Sequence, residues 1–308
     1  MKVPNTTKRA APKNKTGFNP ALSGLRGLAS FLVAIYHYAP FLLAGIPILL
    51  PLTSTFFIGV MVFLMLSMYL LLNRLDANSD LKHYFKRRIV RIWPIYYSVV
   101  ILTFLYFNYK FKTFLLSLFF LNYFVNPSAL LPTPIVMFWT LQIEEFMYLL
   151  IPLIHKLPKT GKFWLGFGMV VAGSILSLLM APIWWVPYLY SDVIVAYGIG
   201  LLVYCINIPK KMRYLFLIGI IGMVLTQLVV SPHATTPIEG LRLPPSLYFV
   251  YYVYQIFFLL VILGSGAILA NPPNILGKLT VLGEESYALY AVHVAFLDAF
   301  GGIGFIIS

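Results

Sequence analysis

Apolar residues in this chain fall into runs long enough to cross a bilayer, and that pattern admits few folds. Ten helical apolar segments follow one another, at about 20–43, 55–73, 92–109, 113–125, 138–155, 163–181, 189–207, 213–230, 245–270 and 281–306. A hydrocarbon core about 30 Å thick needs roughly 20 such residues as a helix, because lipid offers no partner to a free backbone group. The alternating ten-residue segments of a membrane barrel are absent. Of the 308 residues 60% are hydrophobic and only 10% charged, where soluble domains carry about a quarter charged. The mean hydropathy is +0.88. The expectation is an all-α, polytopic transmembrane helical bundle of about ten membrane segments. It forms one domain over residues 18–308, behind a disordered basic cytoplasmic tail at 1–17. The first run is too long and too polar at its start for a cleavable signal peptide, and no small-residue cleavage site follows it. The single cysteine, Cys205, excludes an internal disulfide or a thiolate cluster, and no metal site is expected.

A net charge of +13 does not require nucleic acid. Basic residues collect in the cytoplasmic loops of membrane proteins, and they also hold anionic headgroups or phosphorylated cofactors. The charge distribution decides between two topologies. With all ten segments crossing and the N-terminus inside, twelve loop and tail Lys and Arg fall inside and nine outside. If segment 113–125, only thirteen residues long, enters and leaves on one side, later loops swap. The split becomes eighteen inside against three outside, namely Lys110, Lys112 and Arg242. The charge rule therefore predicts a short or re-entrant element over 113–137, in a multi-pass protein of the cytoplasmic membrane with its N-terminus cytoplasmic.

Ionisable groups interrupt the apolar runs. In LSGLRGLASFLVAIYH (22–37), Arg26 and His37 are eleven residues apart. At about 100° per residue they return to nearly one helix face, roughly 16 Å apart along the axis. Such groups at membrane depth face a polar cavity or a partner, so they suggest a wet groove along this helix. A snorkelling arginine and a histidine bonded to a backbone carbonyl is the plainer reading. The loop 82–94, KHYFKRRIVRIWP, is the densest basic run. Arg88 and Arg91 share a helix face there, and the arginine fork suits phosphate oxygens, although simple anchoring explains the run as well. The run 138–155, FWTLQIEEFMYLLIPLIH, buries Glu144 and Glu145. Glu144 shares a face with Tyr148 and could pair with Arg26 or reach His37; a structural ion pair is the alternative. In LGEESYALYAVH, Ser286, Tyr290 and His293 share a face. Asp192 and Asp298 carry no assigned role. Trp184, Trp185, Tyr188 and Tyr190 read as an interfacial aromatic belt.

Four patches in order make the chain resemble the acyltransferase 3 family of integral-membrane O-acyltransferases, which modify surface polysaccharides and related acceptors. They are ALSGLRGLASFLVAIYHY, with Arg26 and His37; KRRIVRIWPIYY, with Arg88, Arg91 and Pro94; FWTLQIEEFMYLLIPLI, with Trp139, Thr140, Leu141, Glu144, Tyr148 and Pro152; and LGEESYALYAVH, with Ser286, Tyr287, Tyr290 and His293. In FLMLSMYLLL, Met68 stands where the family often has glycine, so packing or groove width is expected to differ there. Many relatives carry an extracytoplasmic hydrolase-like domain; none is expected here, so a second transfer step would need a separate partner.

The resemblance implies transfer of an acyl group, expected to be acetyl, from acyl-CoA to a hydroxyl of a glycan or lipid-linked sugar. Acetyl-CoA or another acyl-CoA is then a donor substrate, with no permanently bound cofactor. The expected catalytic residues are His37, as general base or acyl carrier, and Glu144. Arg26, Arg88 and Arg91 are the expected CoA ligands. Trp139, Tyr148, Tyr290 and His293 are the expected acceptor contacts. The partners are acyl-CoA, the acceptor and the bilayer, not nucleic acid. A transporter or flippase for a lipid-linked glycan or organic anion is the alternative. It lacks the inverted repeat and the matched Gly/Pro-broken helices that such folds show.

Overall fold

The computed structural model describes residues 19–43, 46, 49–107, 110–125, 139–180, 185–230, 248–289 and 293. The tail 1–17, Arg242, Trp184, Tyr290 and Asp298 lie outside them, as do the side chains of Trp185, Tyr188 and Tyr190. The described residues are helical and hold no strand. Five helical stretches are long and apolar enough to cross a membrane: Pro51–Ala77, Leu81–Leu105, Lys159–Leu179, Lys210–Val229 and Tyr252–Ala270. Two helices that carry interior ionisable groups, α1 (Pro20–Leu42) and α7 (Trp139–Lys156), are not among the five. Their charged residues lower the apolarity that marks a span.

Local chemistry sets the ends of these helices. Asn19 opens α1 by accepting from the Ala21 and Leu22 amides at 3.0 and 3.4 Å, with Pro20 as the first helical residue. The short α2 (Leu50–Ser54) leads into α3 (Ile58–Ala77), whose Met61, Leu64, Leu66, Met68 and Leu72 are fully buried. Next comes α4 (Leu81–Phe107). The basic run 82–94, expected as a loop, forms its first turns. Asp80 Oδ1 accepts from the Lys82 and His83 amides at 2.9 and 3.3 Å and starts the helix before the charges. Pro94 sits inside it. The apolar faces of α4, α8 (Lys159–Met180) and α10 (Tyr214–Val230) point outward, with Leu102, Leu105, Trp164, Leu179 and Leu217 exposed as a lipid-facing surface would be.

Within segment 113–137, residues 113–125 are short and broken. The helix α5 (Phe111–Leu118) is followed by Phe120, at φ 57°, and then by α6 (Asn122–Val125). Eight helical residues reach only about 12 Å. The segment folds back along α4. Phe114 stacks on Phe104 and Phe120 on Tyr96, each at 4.3 Å, and the Tyr96 hydroxyl donates to the Ser117 carbonyl at 2.7 Å.

Contacts then sort the chain ends. His155 Nε2 lies 2.9 Å from Asp76 Oδ1, and the Tyr204 hydroxyl donates to Asp76 Oδ2 at 2.7 Å. The last turns of α3, α7 and α9 (Trp185–Cys205) therefore share one end of the molecule. Asn271, just after α11 (Tyr248–Ala270), donates to the Ile208 carbonyl at 2.9 Å. Thr280 Oγ1 donates to the Pro20 carbonyl at 3.3 Å. Every described Lys and Arg except Lys110 and Lys112 belongs to this basic half. That is the distribution the charge rule favoured when residues 113–125 do not cross.

Backbone contact fixes α1 against the segment made of a 3₁₀ turn, Asn274–Leu279, and α12 (Thr280–Glu284). A Cβ on Gly24 would lie 1.7 Å from the Leu276 carbonyl oxygen. One on Gly27 would lie 2.5 Å from the Gly283 nitrogen, and one on Gly283 would lie 1.9 Å from the Ser23 carbonyl oxygen. No side chain fits at any of these points.

Two outcomes follow. Gly27→Ala and Gly283→Ala should each lower the unfolding midpoint in detergent by roughly 5 °C or more, since backbone must move to admit the methyl group. In a Cys205→Ser background in sealed vesicles, an impermeant maleimide should label Lys112→Cys from the side opposite to Lys156→Cys and Lys278→Cys.

Candidate functional site

A cavity of about 880 Å³ lies at the basic end, between the start of α1, the end of α3 and the first turns of α4. Five guanidinium groups line it: Arg26 from α1, Arg74 from α3, and Arg87, Arg88 and Arg91 from α4. The amphipathic start of α4 produces this arrangement, with Tyr84 and Ile92 buried and its arginines turned to the cavity. Among the described residues no carboxylate lies within ion-pair distance of any of the five. Arg26 Nη2 donates to the Gly283 carbonyl at 2.7 Å, and the Arg88 guanidinium sits 5.6 Å from the centre of the Tyr148 ring. The Nε atoms of Arg26 and Arg88 are buried without a hydrogen-bond partner. Clustered cations with unused donors have the chemistry that suits a polyanion.

Two small cavities continue inward. The first, about 40 Å³, shares Arg26, Arg74, Arg88 and Arg91 with the large one and adds Ser67, Glu144 and Tyr148. Glu144 is buried, and both carboxylate oxygens accept: from Ser67 Oγ at 2.8 Å and from the Tyr148 hydroxyl at 2.9 Å. The second cavity, about 30 Å³, is bounded by Ser30, Val33, Phe63, Thr140, Glu144 and Tyr287. A water takes about 10–15 Å³ by this kind of measure, so each holds only a few waters. Arg26, Ser30, Val33 and His37 form one stripe on α1, and the second cavity ends at Val33, one turn short of His37.

At the far end of the stripe His37 Nδ1 lies 3.2 Å from His293 Nε2, with the rings stacked at 5.2 Å. Tyr36 meets Phe57 at 5.6 Å, and Phe57 stacks on Trp139 at 6.3 Å.

The structure thus divides the residues singled out from the sequence. Arg26, Arg88, Arg91, Glu144 and Tyr148 gather at the basic cavity and its throat. His37, His293 and Trp139 gather toward the other end of α1. Tyr148, expected among the acceptor contacts, lies with the arginines, and Glu144 bonds Ser67 and Tyr148 rather than the His37 imidazole. Asp192 lies elsewhere, buried between α8, α9 and α11, where Oδ1 accepts from Ser177 Oγ and from Gln255 Nε2, the latter at 2.8 Å. Met68 lines none of the three cavities. It packs against Gly200 of α9, where a Cβ would come within 3.0 Å of the Met68 Cβ.

Sequence reasoning gave no site role to Arg74, Ser67 or Tyr287, although Tyr287 stands in the family-like terminal patch. Phe63, Ser67, Leu70 and Arg74 line the throat at spacings of four, three and four residues, which repeat those of Arg26, Ser30, Val33 and His37 on α1. A polar stripe on a second apolar helix was the available signal.

Pyrophosphate should raise the unfolding midpoint in detergent, and the rise should shrink as salt increases. Arg74→Ala combined with Arg88→Ala should abolish it, measured against sodium chloride at equal ionic strength.

A family model described as an acyltransferase domain matches residues 19–308. A protein of Acidianus two-tailed virus, provisionally named an acetyltransferase, is 34% identical over 312 residues, covering 94% of this chain and 87% of that protein. No solved structure matches the chain.

Proposed function

Since the chain belongs to the acyltransferase 3 family and is an acyltransferase, we propose that its donor is an acyl-CoA, held by the five-arginine cavity, and its acceptor a hydroxyl of a glycan or lipid-linked sugar. The observation that carries this reading is a cavity lined by five guanidiniums, with Glu284 as the carboxylate in its wall, whose inner throat follows the α1 stripe toward an imidazole. Coenzyme A has the matching form. Its phosphates suit paired arginine forks, and its pantetheine arm is thin and uncharged. The volume of about 880 Å³ falls within the range of ligand pockets. The name of the viral relative favours acetyl as the acyl group. We place the basic end in the cytoplasm, where acyl-CoA is found, which makes the N-terminus cytoplasmic in a multi-pass protein of the cytoplasmic membrane. The ten-segment bundle belongs to this reading as well.

In this scheme Arg74, Arg88 and Arg91 bind phosphate, and Arg26, tied to Gly283, marks where the arm leaves the charged mouth. Glu144, Ser67 and Tyr148 wall the throat along which the arm runs. The thioester arrives near His37 after roughly 16 Å of helix. His37 takes the proton of the attacking hydroxyl, a contribution typically worth 10²–10⁴-fold. Trp139 stacks on Phe57, which meets Tyr36, the residue before His37, and an acceptor sugar ring would approach along these rings.

Purified protein with radiolabelled acetyl-CoA and a glycan acceptor tests the reading. Acceptor-dependent release of CoA supports it, and acceptor transport without CoA release overturns it. His37→Ala should lower turnover by about 10²–10⁴-fold with acyl-CoA affinity little changed. Arg88→Ala should raise the dissociation constant for acyl-CoA by roughly tenfold or more, as expected for loss of a charged hydrogen bond. An unchanged affinity would return Arg88 to simple anchoring.

A further inference from the structure

The partner of His37 decides which of its nitrogens bears the proton. On the His293 ring, Nδ1 lies 3.3 Å from the Leu289 carbonyl and Nε2 lies 3.2 Å from His37 Nδ1. A carbonyl oxygen only accepts, so the proton of a neutral His293 is on Nδ1. Its Nε2 is then a lone pair, and a lone pair accepts. His37 must therefore donate from Nδ1, which leaves its own Nε2 as a lone pair. The Tyr38 hydroxyl donates to the His293 carbonyl at 2.9 Å and holds the two segments in register.

We infer that His293 is a positioning residue: the sequence Leu289 carbonyl, His293, His37 fixes the tautomer that leaves His37 Nε2 free to accept a proton. The inference rests on the reading of His37 as the base. In the transfer step the acceptor oxygen forms a bond to the thioester carbonyl carbon as its proton passes to His37 Nε2. The carbon–sulfur bond then breaks, and the departing thiolate takes that proton back. The ester and free CoA are the products, and His37 returns to its starting tautomer. Throughout, His293 accepts from His37 Nδ1 and stabilises the imidazolium without itself gaining a proton, the role a carboxylate plays in other triads.

Nitrogen-15 histidine spectra of the intact protein in micelles, assigned with His37→Asn, test this directly. The expected spectrum shows His37 protonated on Nδ1 and bare on Nε2. His293→Ala should give a mixture of tautomers and lower kcat by roughly 10²-fold, against about 10⁴-fold for a fully inverted tautomer. The KM for acyl-CoA should stay within about twofold, since the arginine cavity is roughly 16 Å away along α1. His293→Gln, whose amide oxygen can accept from Nδ1–H, should recover at least tenfold of the lost rate. A wild-type His37 protonated on Nε2 overturns the inference even if no His293 variant folds, and so does a His293→Ala protein with normal kcat. Normal transfer by His37→Ala would instead overturn the assignment of the base, and the tautomer measurement would stand apart from it.

Discussion

Five guanidiniums held around one cavity repel one another, and the described residues bring no carboxylate within ion-pair distance to offset them. Arginine does not escape by losing its proton. The arrangement therefore persists because the helices that carry it are held by other contacts, and a bound anion would relieve the repulsion. Fields of this sign in a cleft with low-dielectric walls also draw anions in. Repulsion among cations and attraction for a polyanion are one fact seen before and after binding.

Those other contacts lie away from the charges. Glycine-mediated backbone contact clamps α1 to the 276–283 segment, and the same contact presents the Gly283 carbonyl to Arg26. Burial of nearly the whole length of α3 against α1, α7 and α9 sets the position of Arg74 and Ser67. Asp80 caps α4 and turns three arginines along its first turns into the cavity. Each arginine is thus placed by a neighbour that is apolar, uncharged or outside the cavity. The site is expensive electrostatically and cheap to hold in shape.

Much of this was legible in the sequence. The spacing of Arg26 and His37 announced a polar stripe on the first helix, and the structure lays its length from Arg26 to Val33 along the throat, ending one turn short of His37. The charge distribution indicated that 113–125 does not cross, and the break at Phe120 and the return along α4 agree. The run 82–94 was misread as a loop because basic residues at a membrane edge look like one, while the signal that mattered was the preceding Asp80. Arg74 was hidden for a different reason. Alone at the end of an apolar run it resembles an anchor, and only the packing of α3 beside α1 turns it toward the other arginines. The pairing of His37 with His293 spans 256 positions, and no local periodicity reports a contact of that kind. Glu144 shows the limit most clearly: its burial was foreseeable, but the choice of Ser67 and Tyr148 as partners depends on how α3 meets α7.

The separation of the two ends has a chemical consequence. Phosphate groups cannot follow the stripe, because beyond the arginines the path narrows to spaces of about 40 and 30 Å³, with Glu144 as the carboxylate in their walls. A donor that reaches His37 under the proposed reading must keep its charge in the wide mouth and send only a slender neutral arm inward. As the arm enters it displaces the few waters the throat holds, and electrostatic interactions there strengthen as water leaves. The same narrowness would keep bulk water from the thioester of such a donor on its way to the acceptor. A wide channel would bind the phosphates equally well and would lose the acyl group to hydrolysis. Under that reading the constriction at Glu144 and Tyr287 would be as much a part of the transfer chemistry as the imidazole pair beyond it.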